Sequence, residues 1–186
     1  MNVYDFDGTI YRGDSSLDFY LYCLRHRPLI IRFLPKQLVG VLAYKLRFIS
    51  KKQGKEAFFS YLKGMDNIHS FVNNFWASHS SGIQSWYITQ QAEADVVISA
   101  SPEFLLAPIC QRLKVRLIAS IVGPCNGIFE SENCYGIEKV RRFRAAFPME
   151  SIDAFYSDSL SDAPLAAQAR RRYFVKKGKV YEWIVE

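Results

Sequence analysis

The chain has 186 residues, 49% of them hydrophobic and 23% charged. That suffices for one well-packed core with an insert, falls short of two full domains, and is not the composition of a disordered segment. Twenty-four Lys and Arg against eighteen Asp and Glu leave a net charge of +6, which suits anionic partners in general and singles out none.

Asn2-Val3-Tyr4 reads as a strand running into Asp5-Phe6-Asp7-Gly8-Thr9, where Gly and Thr mark a turn. Asp5 and Asp7 then sit at the carboxyl end of a strand, the edge at which open α/β sheets bind ligands. Carboxylates crowded at i, i+2 call for a cation, and an oxygen-rich site suits Mg²⁺. One carboxylate then remains free to attack phosphorus. The plainer alternative is a capped turn in which both acids only bond local N–H groups.

Beyond Thr9 a tight loop leads to Asp14 or Ser15 as the cap of a helix over residues 17–25, its apolar side made of Leu17, Tyr20, Leu21 and Leu24. Residues 28–48 are apolar but interrupted by Arg32, Pro35, Lys36, Lys45 and Arg47. No charge-free run approaches the ~20 residues of a membrane span, so a buried or amphipathic helical pair is expected. Helices follow over 51–62, over 66–76 with Ile68, Phe71, Val72, Phe75 and Trp76 on one side, and over 83–90.

Asp95-Val96-Val97-Ile98 has the character of a buried parallel strand and delivers Ser99-Ala100-Ser101 to a turn. Ser101 would cap the next helix, with Pro102 at its first position and Glu103 on its dipole. A strand over 115–119, a loop or small hairpin over 123–136 and a basic helix over 138–146 come next. A strand over 152–156 ends in Ser157-Asp158-Ser159-Leu160-Ser161-Asp162, and strands over 173–175 and 180–185 flank a Lys177-Gly178 turn. The alternation implies an α/β fold, a doubly wound, mainly parallel sheet. Residues 1–12 and 87–186 would form its core and residues 13–86 a helical cap inserted after the first strand.

Cys23, Cys110, Cys125 and Cys134 lack any close metal spacing, and strand-like sequence begins at Asn2 where a secretory signal would stand. Reduced thiols and a cytoplasmic location are the expectation, a Cys125 to Cys134 disulfide the alternative. His26, His69 and His79 have no catalytic placement.

Three strand ends thus carry Asp5 and Asp7, Ser99, and Asp158 with Asp162, while Gly136-Ile137-Glu138-Lys139 offers Lys139 near a helix start. Phosphoryl transfer gathers negative charge and needs such a fixed cation. In this order, DFDGT, a helical insert, ISAS at 98–101, GIEK at 136–139 and YSDSLSD at 156–162, the chain resembles the haloacid dehalogenase-like phosphohydrolases. Within them it is similar to the phosphoserine phosphatase-like subfamily with a helical cap.

The resemblance implies roles. Asp5 would be the nucleophile, and Asp7 would protonate the leaving oxygen and then activate water. Asp5, the Asp7 carbonyl and Asp158 would hold Mg²⁺. Ser99 would bond a phosphoryl oxygen, Lys139 would screen charge, and Asp162 would position Lys139 or a metal-bound water. Backbone donors near Phe6, Gly8, Thr9 and Ala100 would complete the phosphate cradle. Asp14 stands where phosphoserine-cleaving members carry the acid that meets the substrate's amino group. No cap Arg for a carboxylate can be matched among Arg25, Arg27, Arg32 and Arg47, and Ser157 replaces the Gly common before Asp158.

The function implied is Mg²⁺-dependent hydrolysis of a small phosphorylated metabolite, by a monomer or homodimer without nucleic-acid partners. One alternative is a lipid-phosphate phosphatase, of the phosphatidylglycerophosphate type, with residues 28–50 in peripheral contact with a membrane; the plainer expectation is that this segment packs on the cap or on a second subunit. Another is a non-catalytic protein binding anions or nucleic acid through the basic helix and Arg170-Arg171-Arg172. An acid and an Arg facing Asp5 would favour an amino-acid phosphate, an apolar groove a lipid or aromatic phosphate.

Overall fold

The computed structural model describes residues 1–184. Six strands form its sheet: β1 (Asn2–Tyr4), β2 (Val96–Pro102), β3 (Arg116–Ser120), β4 (Ile152–Ser157), β5 (Ala169–Lys176) and β6 (Lys179–Glu182). Their spatial order is β3, β2, β1, β4, β5, β6. The first five run parallel, and β6 returns antiparallel through Lys177-Gly178. Both turn residues have positive φ, the backbone a tight hairpin needs. After β3 the chain crosses back to lay β4 on the other side of β1. The winding therefore reverses at β1, and a crevice opens beyond its carboxyl end.

The parallel strands are apolar on both faces because helices cover both. Along β1, Val3 belongs to one core cluster and Tyr4 to the other, as the period of two requires. The first face carries a stacked ladder, Tyr4 on Tyr156 and Tyr156 on Tyr173, each pair 4.7 Å between ring centres. The second face packs Val3, Val96, Ile98 and Phe155 under Phe143 and Leu165.

Between β1 and β2 lie five helices: α1 (Ser15–His26), α2 (Leu34–Lys45), α3 (Lys51–Phe59), α4 (Ile68–His79) and α5 (Ser85–Gln90). Asp14 caps α1 and a Ser50/Gln53 capping box opens α3. The expected apolar side of α4 is buried at Ile68, Val72, Phe75 and Trp76. Trp76 is the main tie to the sheet layer. It meets Phe6 and Tyr11 edge-on, and its indole N–H donates to the Leu105 carbonyl at 2.6 Å. Later helices are α6 (Glu103–Arg112), α7 (Ile137–Ala146) and the short α8 (Ala163–Ala166).

Three expectations need correction. Residues 28–48, expected as a buried or amphipathic helical pair, form a 3₁₀ turn, Pro28–Phe33, followed by α2, with most of their apolar side chains exposed. β2 continues through Pro102, whose backbone is extended, so α6 starts at Glu103 and Ser101 does not cap it. Arg170, Arg171 and Arg172 lie on β5, which begins earlier than expected. Of the expected last strand, Val185 lies outside the described residues. All four cysteines are free. Among the described residues no helix is long and apolar enough to cross a membrane.

Trp76→Ala removes the largest buried ring and the bond its indole N–H gives to the Leu105 carbonyl, so it should cost about 3–5 kcal/mol. Urea unfolding of the two proteins measures that difference.

Candidate active site

Everything at the site hangs on the turn that ends β1. Asp5 continues the ladder by donating its N–H to the Tyr156 carbonyl at 2.9 Å. Gly8 then takes a positive φ of 70°, and a Cβ there would stand 2.0 Å from Asp158 Oδ2. Only glycine lets the Asp158 carboxylate press against this turn. Thr9 anchors the same residue from beneath, accepting the Asp158 backbone N–H at 3.0 Å on its hydroxyl.

Lys139, from the first turn of α7, is buried and reaches the turn from the opposite side. Its ammonium donates to Asp5 Oδ1 and to Asp162 Oδ2, both at 2.7 Å. Ser157 donates to the same Asp162 oxygen at 2.8 Å. Asp162 stands at the N-cap position of α8 yet makes no side-chain cap bond, because its carboxylate is committed to Lys139 and Ser157. Burial pushes the Asp5 carboxyl up to about 7, against the pull of Lys139 and with further upward pressure from Asp162. Lys139 itself is shifted upward: its two carboxylate partners outweigh the desolvation that burial imposes.

Asp7 is gripped differently. Its Oδ2 accepts from the Ser101 hydroxyl at 2.5 Å and its Oδ1 from the Ser15 backbone N–H at 2.6 Å, at the start of α1. Burial raises its carboxyl to about 6, aided by nearby Asp14 and opposed by these two hydrogen bonds. A carboxyl set near neutrality can both give and take a proton.

These groups open into one cleft of about 700 Å³ that also receives Ser99, Ala100, Asp14 and Asp158. Its far wall is apolar, built from Leu17, Val41, Tyr44, Phe58 and Phe59. Two cations on α3 face it as well. Lys51 sits over the Tyr135 ring at 3.3 Å, and Lys55 donates to the Ala100 carbonyl at 2.7 Å and to Asn133 at 3.2 Å. Burial lowers the Lys55 ammonium to about 8, helped by like charge on Lys51.

The structure thus brings Asp5, Asp7, Ser99, Lys139, Asp158 and Asp162 together. Gly8 and Thr9 depart from the expected phosphate contacts. The Gly8 N–H donates to the Gly13 carbonyl, and Thr9 is wholly buried with its hydroxyl spent on Asp158. Asp14 lines the cleft while its carboxylate caps α1 through the Leu17 N–H. None of Arg25, Arg27, Arg32 and Arg47 lines it. Sequence reasoning assigned Ser101 and Ser15 to helix caps and passed over Lys55. Ser101 was legible as the second hydroxyl of Ser99-Ala100-Ser101, whereas nothing in the sequence of α3 says which of its lysines meets the cleft. Helix α7 is also less of a basic surface than expected, for Arg142 is held by Glu138, the Ala119 carbonyl and Ser131.

Comparison with known proteins agrees with this geometry. The family model for haloacid dehalogenase-like hydrolase matches residues 3–167. The chain belongs to the haloacid dehalogenase-like hydrolases. Among solved structures, a protein of unknown function from Bordetella pertussis Tohama I superposes with a TM-score of 0.73 at 18% identity, covering 92% of this chain and 87% of that one. A phosphoserine phosphatase in its apo form gives 0.58 at 14% identity, over 91% and 82% of the two chains. A phosphoserine phosphohydrolase-like protein from Francisella tularensis subsp. tularensis SCHU S4 gives 0.53 at 14%, over 92% and 86%. No curated protein matches the sequence. The family match makes the chain a hydrolase of that family, and the neighbouring structures share its fold.

The donor set fits a hard divalent cation. Among the described residues no three His, Cys, Asp or Glu side chains gather closely enough to hold a metal by themselves. Asp5 and Asp158 can offer two carboxylates and Asp7 a backbone carbonyl, an all-oxygen set that leaves room for water, as Mg²⁺ prefers. The Gly8 turn, shaped to admit the Asp158 carboxylate, is what brings these donors near one another.

Lys139→Met should destabilise the protein by about 3–5 kcal/mol at neutral pH, since it strands the carboxylates of Asp5 and Asp162. Asp5 already sits above its ordinary value. A raised folded-state pKa contributes stability at low pH that is lost as pH rises through it. Without Lys139 the Asp5 carboxyl rises further, so the variant takes up its proton at higher pH than the wild type. The deficit should therefore shrink as pH falls from the alkaline side toward about 7, which urea titrations at several pH values can follow.

Proposed function

We propose that the protein is a Mg²⁺-dependent phosphomonoester hydrolase working through an aspartyl-phosphate on Asp5. The observation that carries this reading is the pairing of a Lys139-bound carboxylate with a second carboxyl, Asp7, held near neutrality two residues away at the head of one cleft. Mg²⁺ bound by Asp5, the Asp7 carbonyl and Asp158 would neutralise charge on the phosphoryl group. Residues 13–86 would act as the cap over a core made of 1–12 and 87–186.

Asp5 attacks phosphorus and the bond to the leaving oxygen breaks. Asp7, protonated at the start, delivers its proton to that oxygen; its value of about 6 makes the neutral form accessible at little cost. Ser101 and Ser15 fix both of its oxygens, so the proton is presented in one direction. The carboxylate left behind takes a proton from water, and the hydroxide formed cleaves the acyl phosphate to restore Asp5. Ser99 borders the place where the phosphoryl oxygens fall. Lys139 pulls Asp5 toward the ionised form that attacks, against the upward push of burial, and offsets charge on the transferring group. The positive charge of Lys51 and Lys55 draws the dianionic substrate into the cleft.

Asp5→Asn should lower phosphate release from an aryl phosphate by more than about a thousandfold, with circular dichroism showing that the variant is folded. EDTA should stop the wild type and added Mg²⁺ restore it. An Asp5→Asn protein of undiminished rate would sink the proposal.

Lys55 adds a pH signature. Its ammonium is charged below about 8 and neutral above, so KM should climb as pH passes 8. Lys55→Met should show the raised KM at every pH, with kcat little changed.

A further inference from the structure

Between Phe19 and Lys55 the sequence holds nine Lys and Arg and no Asp or Glu. That stretch alone carries +9, leaving −3 on the rest of a +6 chain. The structure joins this charge to an apolar surface. Leu29, Ile31, Leu38, Val39, Leu42 and Phe48 are each more than half exposed, Leu29 and Phe48 at 81% and 80%. Of α2, only Gln37 and Gly40 are buried. Gly40 lies so close to Ala57 of α3 that a Cβ would stand 2.3 Å from it. The helix leans on its neighbour by a small and polar stripe and turns its aliphatic side outward, the reverse of an ordinary surface helix. Single exposed apolar residues are commonplace, but a contiguous set rimmed by charge marks an interaction surface.

The charge selects the occupant. Arg27 pairs with Asp66 and Lys52 with Glu132, while Arg32, Lys36, Lys45 and Arg47 have no acidic partner among the described residues. A second copy packed on this face through a two-fold would oppose one +9 stretch to another. An anionic bilayer matches both features at once. Its acyl boundary receives the leucines, and its headgroups meet the lysines and arginines.

The same helix borders the cleft. Val41 and Tyr44 lie on the cleft side of α2 and form its apolar wall with Leu17, Phe58 and Phe59. We infer that the turn Pro28–Phe33 and α2 dock on an anionic membrane surface and that the substrate is a lipid phosphomonoester. Its acyl part lies along the Val41 and Tyr44 wall while its phosphate reaches Asp5. Water splits the P–O bond in two steps through Asp5, the lipid alcohol stays in the bilayer, and inorganic phosphate leaves. The substrate half rests on the phosphomonoesterase reading; the docking half does not.

Flotation of the full chain with vesicles tests docking without any turnover. The wild type should rise with phosphatidylcholine vesicles carrying about a third phosphatidylglycerol and stay behind with phosphatidylcholine alone, and high salt should release it. Leu38→Glu/Leu42→Glu and Lys36→Glu/Lys45→Glu should each lower partitioning by about tenfold or more. None of these four side chains lines the cleft, so both variants should keep the wild-type rate on a soluble aryl phosphate, which also shows that they fold. Wild type that stays with the soluble fraction, or variants that float as well as wild type, would overturn docking. A wild-type dimer by sedimentation equilibrium that Leu42→Glu dissociates would assign the face to a second copy instead. Phosphatidic acid in the anionic vesicles should be hydrolysed in preference to glycerol 3-phosphate, and the opposite order would overturn the substrate half. Absence of aryl phosphate hydrolysis by wild type would count against the phosphomonoesterase reading alone, since flotation reads docking regardless.

Discussion

A buried ammonium between two carboxylates organises this molecule. Lys139 comes from a helix that starts 137 residues into the chain, and it can be buried only because Asp5 and Asp162 meet it at hydrogen-bond distance. The converse holds as strongly, for two carboxylates this close would repel one another in the absence of the cation. Each group licenses the placement of the others. The chemistry proposed for Asp5 then starts from a carboxyl whose position is set before any substrate arrives.

The second carboxyl uses the opposite strategy. Asp7 has no cation at bonding distance; it is held by a hydroxyl and a helix-start N–H. Those donors favour the charged form without overcoming burial, so the group remains near neutrality. Two acids two residues apart thereby meet different surroundings, one paired with a cation and one held by neutral donors.

Much of this was legible in the sequence. Parallel strands buried on both faces read as short apolar runs, and the polar residues that follow them fall at one edge of the sheet whatever the detail of the helices. Asp5, Asp7, Ser99, Asp158 and Asp162 are therefore recognisable from position alone, and Lys139 from the demand for a cation. What escaped depends on tertiary choice. Periodicity shows that residues 51–59 form a helix but not that Lys55 is the residue turned to the cleft. Ser101 reads as a helix cap by local rules, and only the arrival of Asp7 from a distant strand recruits it. The outward leucines of α2 look like core because sequence records hydrophobicity and not its neighbour.

The bond from the Asp158 N–H to the Thr9 hydroxyl spans 149 positions of the chain. It can close only after β4 has been laid beside β1, a long-range pairing that comes slowly because a large loop must first be closed. Helices of the insert can form locally long before then. Assembly of the cleft is accordingly a late property of the folding chain, tied to completion of the sheet. A nascent or truncated chain lacking β4 would carry Asp5 and the helical insert yet have neither Asp158 nor Asp162 to set against them, so its cleft would lack both of these carboxylates until the sheet is complete.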